Sequence, residues 1–395
     1  MSGAVSKLPE GQTADAFALA PAGVAITAVG LHCGAGDQPF GLFGVVAAGH
    51  SLARADENLT APLPGDDGDA AVMLARSHLP AMDPDERMFS ALALALDGAL
   101  ARWPAPVGEG RKVLVQVLVP GPDSERGSIL HTDRWAHRLR TRDAGRESLD
   151  VRIAPLRGCA TRALLRTLEA WDEEGWDAVI FGAVDSLVDE LTCRALARAG
   201  RAQTVRSDGV VPGEAACCLV LERKLEDDGS VMAWLDALAV SDEPHAGAPH
   251  RHRLEGLGRA MREALGHAKR PLEDLGALVL TLGSDASALL EWYQTESRLW
   301  PTELPEAERV AVALGEADAV PAPEPAVPER LNLNLSLGDI GAASLPVALA
   351  LACARLEFEH PVVDNCMATE AGGSPQRGAV LLRRPHGAQT GARAA

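Results

Sequence analysis

Few residues in this chain combine a reactive type with a setting that would make them reactive. The seven cysteines, at positions 33, 159, 193, 217, 218, 353 and 366, form no CxxC pair and share no regular spacing. An odd number of cysteines in a long chain points to free thiols in a reducing compartment. Arg157-Gly158-Cys159-Ala160 opens an Ala/Leu-rich helical run. A thiol there meets backbone N–H groups and the positive end of the helix dipole, both of which favour a thiolate. The same cysteine also reads as a small buried hydrophobe. His245, His250 and His252 cluster on a Pro/Gly-rich segment, Ser241–Arg253. Their spacing fits neither a zinc finger nor a helical His-x-x-x-His pair, so a surface loop and no metal are expected. His32-Cys33 reads as a packing pair after a strand. Nothing in the sequence brings His131, His137 or His360 near Cys159.

The elements that must position these residues alternate along the chain. Apolar or β-branched runs predict strands at Val24–Gly30, Lys112–Val119, Ala178–Phe181, Ala216–Leu221, Met232–Val240, Ala277–Leu282, Leu331–Leu335 and Ala379–Leu382. Between them, Glu86–Ala101, Ala160–Trp171, Ser186–Ala199, Leu254–Leu265 and Ala343–Glu357 predict helices. Such alternation implies an α/β architecture whose central strands are covered on both faces. Proline-rich, acidic Trp300–Arg330 reads as a long excursion rather than a domain boundary. A weak internal symmetry appears as well. Gly338-Asp339-Ile340-Gly341-Ala342-Ala343 follows a strand and opens a helix, as Arg157-Gly158-Cys159-Ala160 does.

A net charge of −18 without a basic stripe argues against nucleic-acid partners. The uncharged stretch Ala16–Gly36 is broken by Pro21, Gly23, Gly30 and Gly34, so it predicts a leader running into a buried strand, with no membrane span. The beginning of the chain lacks the basic segment of a signal peptide, and the expected location is cytoplasmic.

The strongest local pattern is Ser207-Asp208-Gly209-Val210-Val211-Pro212-Gly213-Glu214-Ala215-Ala216, running into an apolar strand. By itself it reads as a turn with two bends before a strand. It also resembles the D-x-x-G-F-x-x-G-E-G-A signature of the β-ketoacyl synthase family of thiolase-like proteins, with Gly209, Gly213 and Glu214 at the matching places and Ser207-Asp208-Gly209 supplying the turn. Other segments follow in the family's order. Ala25–Gly30 is similar to its opening strand, and Asp177–Ser186 to its D-x-A-L-A-G-G-x-D/E-S element. Leu337–Ser344 is similar to G-H-x-x-G-A-A-G, and Asn365 with Gly372-Gly373-Ser374 to its closing glycine-rich stretch. The resemblance spans roughly Val24 to Arg383 and is weakest in Pro39–Asp85 and Trp300–Arg330.

The resemblance implies a thiolase-like fold, two similar βαβαβαββ halves forming a five-layer α-β-α-β-α core. It divides the chain into a leader (1–23), an N-terminal half (24–228), a C-terminal half (229–385) carrying the excursion 300–330, and a tail (386–395). It also implies a Cys-His-His set, which this sequence departs from. The nucleophile position is Arg157, with Cys159 two residues further on in a flank unlike the family's. The first histidine position is Leu282, placed with the help of Glu291, and the second is Asp339. The family's lysine position is Asn334. Leucine cannot move a proton, and an ionised aspartate only accepts hydrogen bonds, the wrong sign for an oxyanion.

The reading that follows is a member without condensation chemistry: an accessory, adaptor or chaperone-type subunit serving a partner synthase or a secretion-associated client. The alternative is an acyl-thioester-using synthase or acyltransferase with Cys159 as nucleophile, and a third reading is an acyl-binding protein that keeps the pocket. The implied partners are a second copy or a ketosynthase-like paralogue, joined across the strand Val151–Ala154, a protein client, and an acyl carrier protein or acyl-CoA. No cofactor is implied.

Overall fold

Thirteen strands are found among the residues described by the computed structural model: 17–63, 68–104, 111–142, 149–243, 254–283, 286–304, 306–316, 324–371 and 374–385. In the first part of the chain they are β1 (Phe17–Leu19), β2 (Val24–Cys33), β3 (Arg54–Pro62), β4 (Asp69–Leu74), β5 (Val113–Val119), β6 (Leu149–Pro155), β7 (Ala178–Ser186) and β8 (Glu214–Arg223). In the second they are β9 (Ala233–Asp242), β10 (Ala277–Leu280), β11 (Glu329–Asn332), β12 (Asn365–Glu370) and β13 (Gln376–Arg383). The main sheet runs β11-β10-β12-β13-β9-β2-β8-β7-β5-β6, with β1 added against β9. Its middle is thin: β2 and β9 share only the pairs Ala25–Trp234 and Ile26–Ala233. On each side of that seam the same pairing recurs. β7 and β6 flank β5 in parallel as β12 and β11 flank β10, while β8 and β13 close each set antiparallel.

The sheet is covered on both faces, which explains why its strands read as near-continuous apolar runs. Along β8, Ala215, Cys217, Leu219 and Leu221 point into one cluster, and Ala216, Cys218 and Val220 into another. The first cluster encloses helices Ala160–Glu174 and Ser344–Glu357. Ser344–Glu357 is apolar around most of its circumference and correspondingly buried along nearly its whole length. Its single buried cation, Arg355, donates to Glu329 at 2.5 Å and to the Pro361 carbonyl at 3.0 Å. The outer clusters lie under helix Pro84–Arg102 on one side and under Gly256–Ala268 and Ala286–Leu299 on the other.

Several elements differ from the sequence expectation for local reasons. The run Leu331–Leu335 splits, because the Asn332 side chain accepts from the Leu335 N–H and starts a short helix, Leu333–Leu337. Helix Thr132–Arg142 was not expected from periodicity, since its apolar stripe is only Trp135 and Leu139. Pro39–Asp85 contains helix Pro39–Ala47 and the hairpin β3–β4, and the excursion carries an exposed helix, Glu306–Ala313. The histidines His245, His250 and His252, Gly372-Gly373, Pro305, Pro321 and Pro323, the first sixteen residues of the leader and the tail lie outside the described residues. Among the described residues no helix is long and apolar enough to cross a membrane, and no group of His, Cys, Asp and Glu is arranged to hold a metal ion.

Candidate functional site

A cavity of about 880 Å³ lies where β5, β7, β10 and β12 end. In sheets of parallel strands this is the edge at which ligands are commonly bound. Cys159, Arg157, Asn334 and Asp339 all line it. Leu282 does not: it is 1% exposed and packs in the outer cluster with Trp292 and Trp300, while its neighbours Thr281 and Gly283 line the cavity. Glu291, in helix Ala286–Leu299, is buried in an ion pair with Arg377 at 2.5 and 2.9 Å. His32, His131, His137 and His360 do not line this cavity.

Cys159 occupies the N-cap position of helix Ala160–Glu174, with extended backbone and no capping hydrogen bond from its own side chain. The cap comes from across the molecule. Glu370, the last residue of β12, accepts from the N–H of Ala160 at 2.7 Å, from the N–H of Thr161 at 2.8 Å and from the Thr161 hydroxyl at 2.9 Å. The amide of Gln376, the first residue of β13, accepts from the Cys159 N–H at 3.4 Å. The Ala160 and Thr161 N–H groups are therefore taken by Glu370, while the Arg162 N–H still bears on the thiol. Burial, followed by the Glu370 charge, raises the Cys159 thiol well above its ordinary range. Burial of its carboxyl likewise raises Glu370, partly offset by the N–H groups it accepts from.

A second cluster forms the facing wall. Asp185, at the end of β7 and 1% exposed, holds Arg126 through two hydrogen bonds of 2.6 and 3.0 Å. It also accepts from the Ala342 N–H at 2.8 Å, fixing the loop that carries Asp339. A Cβ on Gly341 would sit 1.9 Å from Asp185 Oδ2, so only glycine allows this approach. Asp339 accepts from the Gly341 N–H at 2.9 Å; burial and the neighbouring Asp185 raise its carboxyl above the usual range.

The motif residues Asp208–Glu214 buttress that loop. The Gly213 N–H donates to the Asp339 carbonyl at 2.8 Å, and the Asp339 N–H donates to Val211 at 2.7 Å. A Cβ on Gly213 would lie 2.1 Å from the Leu337 carbonyl. Gly209 also packs closely, a Cβ there falling 2.6 Å from the Arg201 carbonyl, whereas Asp208 is exposed. Glu214 is buried and paired with Arg87 through two bonds of 2.6 Å, and it accepts from the Ser186 hydroxyl at 3.0 Å and the Ser77 N–H at 2.6 Å.

Sequence reasoning did not single out Glu370, Gln376 or Arg126, and it quoted Asp185 without a role. The only cue to Glu370 was its place just before the closing Gly-Gly, a region whose resemblance was faint.

No protein-family model matches the chain, and no curated protein matches it. Solved structures do. A type II polyketide ketosynthase determined in complex with its acyl-carrier protein (AntDE:AntF) superposes with a TM-score of 0.65 at 14% identity, covering 92% of this chain and 100% of that one. The ishigamide ketosynthase/chain length factor gives 0.64 at 15% identity, over 92% and 99% of the two chains. The ketosynthase from module 6 of the bacillaene synthase of Bacillus subtilis 168 gives 0.65 at 10% identity, over 92% and 72%. The chain thus has the ketosynthase, thiolase-like fold, a large mixed α/β sheet covered by helices.

Proposed function

We propose that this chain is a ketosynthase-fold protein that no longer condenses acyl groups and instead serves as an accessory, adaptor or chaperone-type subunit. The observation that carries this reading is the Glu370 carboxylate seated on the helix N-terminus beside Cys159. A nucleophilic thiol needs those N–H groups for its own charge, and here they are committed to a carboxylate that raises the thiol further. Of the positions aligned with the family's imidazoles, Leu282 is turned away from the cavity, and Asp339 puts a carboxyl where an imidazole would stand. The repeated pairing around β5 and β10 supports two similar halves about a five-layer core, divided near residue 228. The seven buried free cysteines fit a reducing, cytoplasmic setting.

The exposed side of β6 is the sheet's edge, and it is the strand across which the resemblance places a dimer. A homodimer or a heterodimer with a ketosynthase-like paralogue is the assembly proposed. The similar ketosynthase solved with its acyl-carrier protein makes such a carrier the first acyl donor to test. One observation favours the enzyme alternative: Cys159 does line the cavity, at a helix N-terminus. Incubation with acyl-CoA and with acylated carrier protein, followed by intact-mass measurement, separates the two. The proposal expects no adduct; an adduct lost on Cys159→Ala overturns it.

A further inference from the structure

The walls of the cavity are made for a polar ligand. Apart from small and proline residues, Leu156 and Val210 are its only aliphatic lining side chains among the described residues. An acyl chain would find little apolar surface to share, losing the roughly 0.8 kcal/mol that burial gives each methylene. The charges are unevenly matched. Five arginines line the cavity against Asp185, Asp339 and Glu370. Arg126 is held by Asp185, and Glu370 is held by the helix N-terminus. Arg157, Arg162 and Arg166 are in no ion pair among the described residues, and Arg201 acts on Asp339 without a close ion pair, although the chain carries a net charge of −18. The Arg162 guanidinium rests over the Phe17 ring at 5.3 Å.

Deeper in, Asn334 is 6% exposed and donates through Nδ2 to the Thr281 carbonyl at 3.1 Å. That carbonyl can only accept, which fixes which way the amide faces. Its Oδ1 is buried without a partner, a cost that a ligand's N–H or O–H would remove. A ligand for this cavity therefore brings negative charges to the arginine side and a hydrogen-bond donor to Asn334.

We infer that the cavity receives an extended acidic segment of a partner polypeptide. This rests on the adaptor reading above and names the chemistry of its client. Arg162 and Arg166 are one helical turn apart on helix Ala160–Glu174, a rise of about 6 Å. Alternate side chains of an extended chain are spaced roughly 6.5–7 Å on one side, so carboxylates at every second position match the two guanidiniums. The backbone N–H groups of the same segment supply the donors that Asn334 lacks. A peptide needs no aliphatic channel.

The test is fluorescence anisotropy with a short fluorescein-labelled peptide alternating glutamate and serine, a glutamine–serine analogue, and coenzyme A as competitor. The glutamate peptide binds wild-type protein, and the glutamine analogue binds about tenfold or more weakly, as expected when two rim charge pairs are lost. Arg162→Glu with Arg166→Glu abolishes binding of the glutamate peptide. Asn334→Leu weakens it without lowering the melting temperature. Equal binding of the two peptides, indifference to the arginine reversals, or displacement by coenzyme A at lower concentration than by unlabelled peptide overturns the inference. An acyl adduct on Cys159 with peptide binding intact would sink the non-catalytic reading alone. Absence of both adduct and peptide binding would sink this inference alone.

Discussion

Glu370 and Cys159, more than two hundred residues apart in sequence, meet at the start of one helix, where the carboxylate of the first holds the two N–H groups that follow the second. The helix dipole is thereby spent on a resident anion, and the thiol beside it is raised by burial and by that anion.

This arrangement predicts a slow-reacting thiol. Iodoacetamide applied to native protein at pH 8 leaves Cys159 unmodified, as read by peptide mass mapping, while unfolded protein is labelled. Glu370→Gln removes the neighbouring charge and speeds labelling of Cys159, which still stays slower than a free cysteine because burial persists. Wild-type labelling as fast as free cysteine would contradict the geometry.

Asp339 makes stability depend on pH in the opposite sense to most carboxylates. Its folded-state pKa lies above the unfolded value of about 4. The folded form therefore holds the proton more tightly, and this contribution is greatest below the unfolded pKa and declines as pH rises through the folded one. Asp339→Asn keeps an acceptor for the Gly341 N–H and removes the titration. Urea unfolding at pH 5 and pH 8 should show a smaller loss at the higher pH for the variant than for wild type.

Glu214 behaves conventionally. Burial pushes its carboxyl up, but the Arg87 guanidinium and the Ser77 N–H outweigh it and hold the pKa below the ordinary value. Its contribution is present above the unfolded pKa and is lost as pH falls through the folded one. Arg87→Met leaves the carboxylate buried without its cation and should cost about 3–5 kcal/mol by denaturant unfolding at pH 7. A loss below 1 kcal/mol would mean that Ser77 and Ser186 suffice.

Strand β6 ends the sheet, with Ile153 half-buried along it and the Val151 carbonyl accepting from Arg140 at 2.8 Å. If this edge joins two subunits, Ile153→Pro removes a donor and yields monomers in analytical ultracentrifugation, where wild type sediments as a dimer. Monomeric wild-type protein would instead direct attention to a paralogue.

The sequence alone carried the α/β frame, because strands covered on both faces must be apolar at successive positions and so stand out in composition. It also carried the D-G-x-x-x-G-E pattern of Asp208–Glu214, since Gly209, Gly213 and Glu214 answer local needs: close backbone approach and a buried charge. Cys159 was visible as the residue opening a helix. What occupies that helix's N-terminus was not, because Glu370 and Gln376, at the adjoining ends of β12 and β13, reach it only when the two parts of the chain pack together. The same applies to Leu282, which counting assigns to the site but strand alternation turns toward the outer cluster, leaving Thr281 and Gly283 at the cavity. Local propensity wrote the elements into the chain. The state of the thiol depends on contacts between its halves, and only the tertiary structure decided those.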